Sequence, residues 1–140
     1  MDHVDYASIE RLRELAQNAI VRLTALPQPV VRICGPLTSG GKGYDENFAR
    51  FAAATRILTE KGYTVFDYFD HDDEEVIKAL NLPWPVVMEH YHRPILETGL
   101  ITTAFFLPEW QSSHGATWEH EMAEALNLEI REFPEEWFSN

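Results

Sequence analysis

The chain has 140 residues, 45% of them hydrophobic and 12% aromatic, enough apolar material to fill the core of one domain. Its 23 acidic against 11 basic residues give a net charge of −12. That balance repels a phosphate backbone and argues against polymeric nucleic acid as a partner, while a small anionic ligand can still be held by local N–H groups.

The first helix is expected over about residues 5–25, where Ile9, Leu12, Leu15, Ala16, Ala19, Ile20 and Leu23 recur at helical spacing opposite Glu10, Arg11, Arg13 and Glu14. Pro27 and Pro29 end it, and Val30 to Cys34 reads as a buried strand running into Gly35-Pro36 and a glycine-rich loop. Asp45 is the expected N-cap of a second helix with Phe48, Phe51, Ala52, Thr55 and Leu58 inward and Gly62 at its left-handed C-terminal stop. Tyr63 to Phe66 is the second strand, and the acidic run from Asp70 to Glu75 opens a short helix that Leu82-Pro83-Trp84-Pro85 breaks. A weaker helical pattern runs from Val86 to Leu100, and Ile101 to Leu107 is a third strand apolar enough to be covered on both faces. A helix with Trp118, Met122, Ala125 and Leu126 inward and a last strand at Leu128 to Ile130 complete the chain.

Strands alternating with helices predict an α/β fold, a three-layer sandwich with a parallel, Rossmann-like sheet of about four or five strands, strand one central. Residues 1–140 are read as a single domain in which 1–28 form an N-terminal helical extension. Cys34 stands alone, so no intrachain disulfide forms. No leader is visible and no apolar run approaches the roughly 20 residues of a membrane span. A cytoplasmic protein without membrane contact is expected.

In an open parallel sheet, ligands sit beyond the strand carboxyl ends, where two loops are placed here. The first offers Gly35, Pro36, Thr38, Ser39, Gly40 and Gly41. It is not a P-loop: five residues separate Gly35 from Gly41-Lys42, and Gly43 stands where a hydroxyl should hold Mg²⁺. A plain flexible turn is the competing reading. The second, Trp110 to Glu119, brings Ser112, Ser113 and Gly115 to a helix start with Glu119 about one turn in. A first-turn glutamate is otherwise a dipole-complementing surface residue.

Ile33-Cys34-Gly35-Pro36-Leu37-Thr38, then Phe48, Ala52 and Gly62, and above all Leu107-Pro108-Glu109-Trp110 with Ser113-His114-Gly115-Ala116, Glu119 and Ala123, resemble the nucleoside 2-deoxyribosyltransferase and deoxynucleoside monophosphate N-glycosidase superfamily. The likeness spans about residues 30–130. It implies that Glu119 attacks the sugar C1′, that Ser113 and Gly115 hold the 5′ end of the ligand, with Ala116 a further substrate contact, and that the protein is a homo-oligomer with its first helix at or near the interface. A carboxylate suits this chemistry, because cleaving an N-glycosidic bond develops oxocarbenium character that it stabilises or captures. The chain departs from the superfamily at three places. Arg32 stands for a tyrosine, Pro94 for or beside an aspartate, and Thr102 for an acidic residue. Substitutes for the missing group are Glu89, His90, His92 and Glu97, or Tyr44 and Asp45. Arg32 can pair a carboxylate or phosphate, or belong to a structural ion pair.

Two functions follow. One is an N-glycosidase or deoxyribosyltransferase acting on a nucleoside or its 5′-monophosphate. The alternative is a nucleotide-binding protein that keeps the pocket without the chemistry, a sensor, sequestering protein or subunit. Neither needs a cofactor. No metal site is expected, since Glu89-His90-x-His92 and His71 with Asp70, Asp72 and Asp73 lack a three-ligand pattern. Trp84, Trp118 and Phe106 are core candidates, and Trp110 is core or ligand wall. Glu119 is expected to open into a pocket near Gly35 to Ser39 and the Ser113 hydroxyl, and its replacement to stop base release without disturbing the fold.

Overall fold

The computed structural model describes residues 6–36, 43–66 and 73–139, which fall into two compact units. One takes its described residues from 6–26 and 73–100, the other from 27–36, 43–66 and 101–139. Residues 37–42, which include the expected ligand contacts Thr38, Ser39, Gly40 and Gly41, and residues 70–72 of the acidic run lie outside the described residues.

The helical unit begins with α1 (Tyr6–Thr24), whose stripe of Leu12, Leu15, Ala16, Ala19 and Leu23 is buried as its periodicity requires. It packs against α3 (Asp73–Leu80) and against the helical run of residues 84–96. Arg22 of α1 reaches the buried Asp73 at 2.9 Å, and Tyr91 donates its hydroxyl to the same carboxylate at 2.8 Å. The Pro83-Trp84-Pro85 segment ends α3 and also starts α4 (Trp84–Val87), with Pro83 in the cap position and Pro85 in the first turn, where a missing N–H costs nothing. A π turn at Met88–His92 follows, with the Arg93 N–H bonded back to the Met88 carbonyl, and leads into α5 (Arg93–Leu96). Pro94 supplies the reason, because it has no N–H for the His90 carbonyl and its ring crowds that turn. α1 shares its compact unit with residues 73–100, between the second and third strands.

The second unit is the α/β core. Its sheet has four strands in the order β2-β1-β3-β4, namely β2 (Thr64–Val65), β1 (Val30–Cys34), β3 (Ile101–Phe106) and β4 (Glu129–Glu132). Every pairing is parallel. Strand one is interior as expected, and all five of its residues are buried. The crossover through α2 (Tyr44–Glu60) steps from β1 to one side, and that through α6 (His114–Ala125) steps from β3 to the other. Parallel crossovers are right-handed as a rule, and two of that hand stepping in opposite directions place their helices on opposite faces, which gives the three layers.

Alternation along the strands sorts the side chains. Arg32, Cys34, Ala104, Phe106 and Ile130 share the α6 face, where Cys34, Ala104, Phe106 and Ala123 form a core cluster. Phe105 lies on the other face, with the Tyr63 ring edge-on at 5.3 Å.

Three local expectations are corrected. Gly43, not Asp45, occupies the cap position of α2, and Asp45 falls in the first turn beside Glu46, where a carboxylate complements the helix dipole without capping. The inward face of α2 is Phe51, Ala54, Ile57 and Leu58, with Phe48 and Ala52 exposed, because the sheet selects a stripe slightly rotated from the one the apolar spacing suggests. In α6 the buried residues are Ala116, Glu119 and Ala123, while Trp118, Met122 and Leu126 are only half-buried and Ala125 is exposed. Gly62 stands as expected at φ 97°, where it and Tyr63 return their N–H groups to Thr59 and Leu58 and close the helix.

Candidate functional site

The site lies at the carboxyl ends of β1 and β3, under the first turns of α6. Ser113 is in extended conformation before the helix, and its hydroxyl accepts the Ala116 N–H at 3.1 Å. Its carbonyl receives the Thr117 N–H and hydroxyl. This cap fixes where α6 begins, and hence that Glu119 falls on the turn facing the sheet. Ala116 and Ala123, three residues before and four after Glu119, share its face and are small enough to let the helix approach closely. The Glu119 carboxylate thereby reaches the sheet.

There it meets Arg32. The Arg32 Nε donates to Glu119 Oε2 at 2.7 Å, with the two side chains 0% and 7% exposed. Two residues on, and so on the same face, Cys34 donates its thiol to the same oxygen at 3.2 Å. Burial, and then the neighbouring Glu119 charge, push the Cys34 thiol well above its ordinary range, so it stands as a neutral donor. Both bonds fall on Oε2, and among the described residues no donor reaches Oε1. In the sequence Cys34 stands out only as a lone cysteine and as part of the motif from Ile33 to Thr38, neither of which points to a bond with Glu119. The signal was present all the same, since period two places it beside Arg32.

Gly35 has a packing role. A Cβ there would stand 2.9 Å from the Leu107 Cβ, so the absence of a side chain lets the chain leaving β1 lie against the end of β3, where the Leu107 N–H bonds the Cys34 carbonyl at 2.8 Å. Pro36 follows, buried. On the second loop Glu109 takes a left-handed conformation and turns the chain into a short 3-10 segment, Trp110–Ser112. Trp110 packs on Phe106 and lies flat on His120 of α6, with centroids 4.5 Å apart and planes 4° from parallel. The ring is therefore held by the protein on one side. Its loop also lines a cleft of about 460 Å³ between the chain leaving β3 and the chain leaving β4, with Phe106, Leu107, Phe133 and the carboxylate residues Glu109 and Glu132 among its walls. That volume is in the range of about 300–1,000 Å³ typical of small-molecule sites.

The structure thus joins Arg32 and Glu119 directly, commits Ser113 and the Ala116 N–H to each other, and seats Trp110 on the same helix as Glu119. Glu89, His90, His92 and Glu97 belong to the helical unit. Glu89 and Glu97 both pair with Arg93, and His90 contacts Arg13 at 3.2 Å. Among the described residues, no three His, Cys, Asp or Glu side chains are grouped to hold a metal ion, and no helix is long and apolar enough to cross a membrane.

Fold and site together describe a parallel α/β domain with a buried arginine–glutamate pair between its sheet and α6. The chain belongs to the family described as Domain of unknown function (DUF4406), which residues 29–132 match. No curated protein and no solved structure matches it.

Proposed function

We propose that the protein is an N-glycosidase or deoxyribosyltransferase acting on a nucleoside or nucleoside 5′-monophosphate, with Glu119 as the nucleophile at C1′. The observation that carries this reading is the one-sided anchoring of Glu119: Oε2 is held by Arg32 while Oε1 has no donor among the described residues. A carboxylate that must capture an oxocarbenium centre needs one oxygen fixed and the other available. Arg32 then fills an orienting role from the position where the resemblance leads one to look for a tyrosine. The cleft beside Trp110 has Glu109 and Glu132 in its wall, a setting that repels phosphate, and Glu119 is not among its described lining residues. A 5′-phosphate fits better at the start of α6.

The test is incubation with a panel of nucleosides and their monophosphates, with released base measured by chromatography. Wild type should release base and Glu119→Gln should not.

One observation favours a second reading, a binding protein without turnover. Arg32 is completely buried, and an ester at Glu119 would take away the negative charge it meets there at 2.7 Å, which costs free energy in a dry site. Calorimetric binding of a nucleotide by wild type and Glu119→Gln alike, with no base released by either, would establish that reading in place of the first.

No cofactor enters either scheme. A reducing, cytoplasmic setting fits a protein whose one thiol is bound to its candidate nucleophile. Assembly as a homo-oligomer is part of the proposal, with α1 at the interface. Tyr6 and Val21 of that helix are 86% and 70% exposed. Light scattering at micromolar concentration should give at least twice the 16.2 kDa of one chain, and Val21→Glu should shift it towards the monomer. A monodisperse wild-type monomer would overturn the assembly.

A further inference from the structure

We infer that Cys34 is a positioning residue of this site: with Arg32 it clamps Oε2 of Glu119 and so assigns Oε1 as the oxygen that attacks the sugar. The inference rests on the glycosidase reading and adds a residue and an atom to it. Three observations carry it. Cys34 and Arg32 come from alternate positions of one fully buried strand, so their spacing is set by the strand backbone and not by flexible chain. Both donate to the same carboxylate oxygen, at 3.2 and 2.7 Å. Two donors on one oxygen restrict rotation of the carboxylate about its terminal bond, which a single donor does less well. Glu119 itself is 6% exposed, with small Ala116 and Ala123 as its neighbours on the helix face.

In the reaction, Oε1 bonds to C1′ as the C1′–N bond breaks and its electron pair leaves with the base nitrogen. One water balances the hydrolytic cycle, its proton going to the departing base and its hydroxyl to C1′ as the ester opens and Oε1 becomes a carboxylate oxygen again. In transfer, a second base takes the place of that water. Arg32 and Cys34 stay on Oε2 throughout, so the clamp outlasts the intermediate.

The chain has one cysteine, so its S–H infrared band reports Cys34 alone. The band should lie at lower frequency in wild type than in Glu119→Gln, because a carboxylate is the stronger acceptor. An identical band in both, with both folded by circular dichroism, means that no thiol–carboxylate bond exists, and the inference fails whatever the activity. The kinetic arm compares Cys34→Ser, which keeps a donor, with Cys34→Ala, which removes it. The serine variant should retain kcat within about threefold and the alanine variant should lose about tenfold or more in kcat with KM unchanged. Equal kcat in wild type and Cys34→Ala removes the positioning role while leaving the glycosidase reading standing. A shifted band with no base released by wild type sinks the glycosidase reading, and the positioning role with it, leaving a buried hydrogen bond only.

Discussion

Removing one member of the Arg32–Glu119 pair is expected to destabilise the protein far more than removing both. The pair is 2.7 Å apart with side chains 0% and 7% exposed, so neither charge has bulk water to fall back on. At an effective dielectric constant near 20, unit charges about 4 Å apart attract by about 4 kcal/mol. Truncating one partner of such buried pairs costs about 3–5 kcal/mol, mostly because the other charge is left uncompensated. Glu119→Leu takes the carboxylate away from the Arg32 guanidinium and also deprives the Cys34 thiol of its acceptor. Arg32→Met strands the carboxylate. For a chain of this length a loss of 3–5 kcal/mol corresponds to a fall in Tm of about 10–17 °C. The double variant Arg32→Met/Glu119→Leu should recover most of the loss, since apolar replacement of both partners is often neutral or better. Urea unfolding followed by circular dichroism on all four proteins closes the cycle. Losses below about 1 kcal/mol in each single variant, adding in the double to within about 0.5 kcal/mol, would refute the reasoning. Against the expectation from sequence that Glu119 can be replaced without effect on the fold, its burial beside Arg32 predicts a loss of stability, so rate measurements on Glu119 variants belong well below their own Tm.

Three further outcomes follow from the site. Gly35→Ala places a methyl 2.9 Å from the Leu107 Cβ and should cost about 1–3 kcal/mol by urea unfolding, with Leu107→Ala in the same chain relieving part of the clash. Ser113→Ala removes the cap on the Ala116 N–H and should cost about 1 kcal/mol, whereas Ser113→Asp should hold stability, and an unchanged midpoint in the alanine variant would deny the cap its role. The Cys34 thiol is raised in the folded chain, so its contribution is fully present below the ordinary thiol range and is lost as pH rises above about 9, at up to about 1.4 kcal/mol per pH unit. Unfolding at pH 8 and pH 10 should show wild type losing more stability than Cys34→Ala, and equal losses would mean that the thiol is not shielded.

Much of this protein was legible in the sequence because the relevant signals are local. The periodicity of Leu12, Leu15, Ala19 and Leu23, the run Val30 to Cys34, the stop at Gly62 and the two glycine-containing loops each depend on neighbours a few residues away, and together they determined a parallel α/β sheet with strand one inside. Glu119 was singled out by its place about one turn into a helix and, above all, by the family resemblance of the segment around it. What the sequence could not supply was its partners, because Arg32 and Cys34 lie 87 and 85 residues away and are brought to it by the crossover of α6 over the sheet. Nor could it say that Ala116, Glu119 and Ala123, and not Trp118 and Met122, face inward: helical period permits either stripe, and the choice falls to whichever lets a polar residue find its counter-charge. The association of α1 with residues 73–100 was hidden for the same reason, since the Arg22–Asp73 contact spans 51 residues. Local propensity determined the elements. Tertiary structure decided which oxygen of Glu119 is held, because only the folded sheet places two donors against one carboxylate.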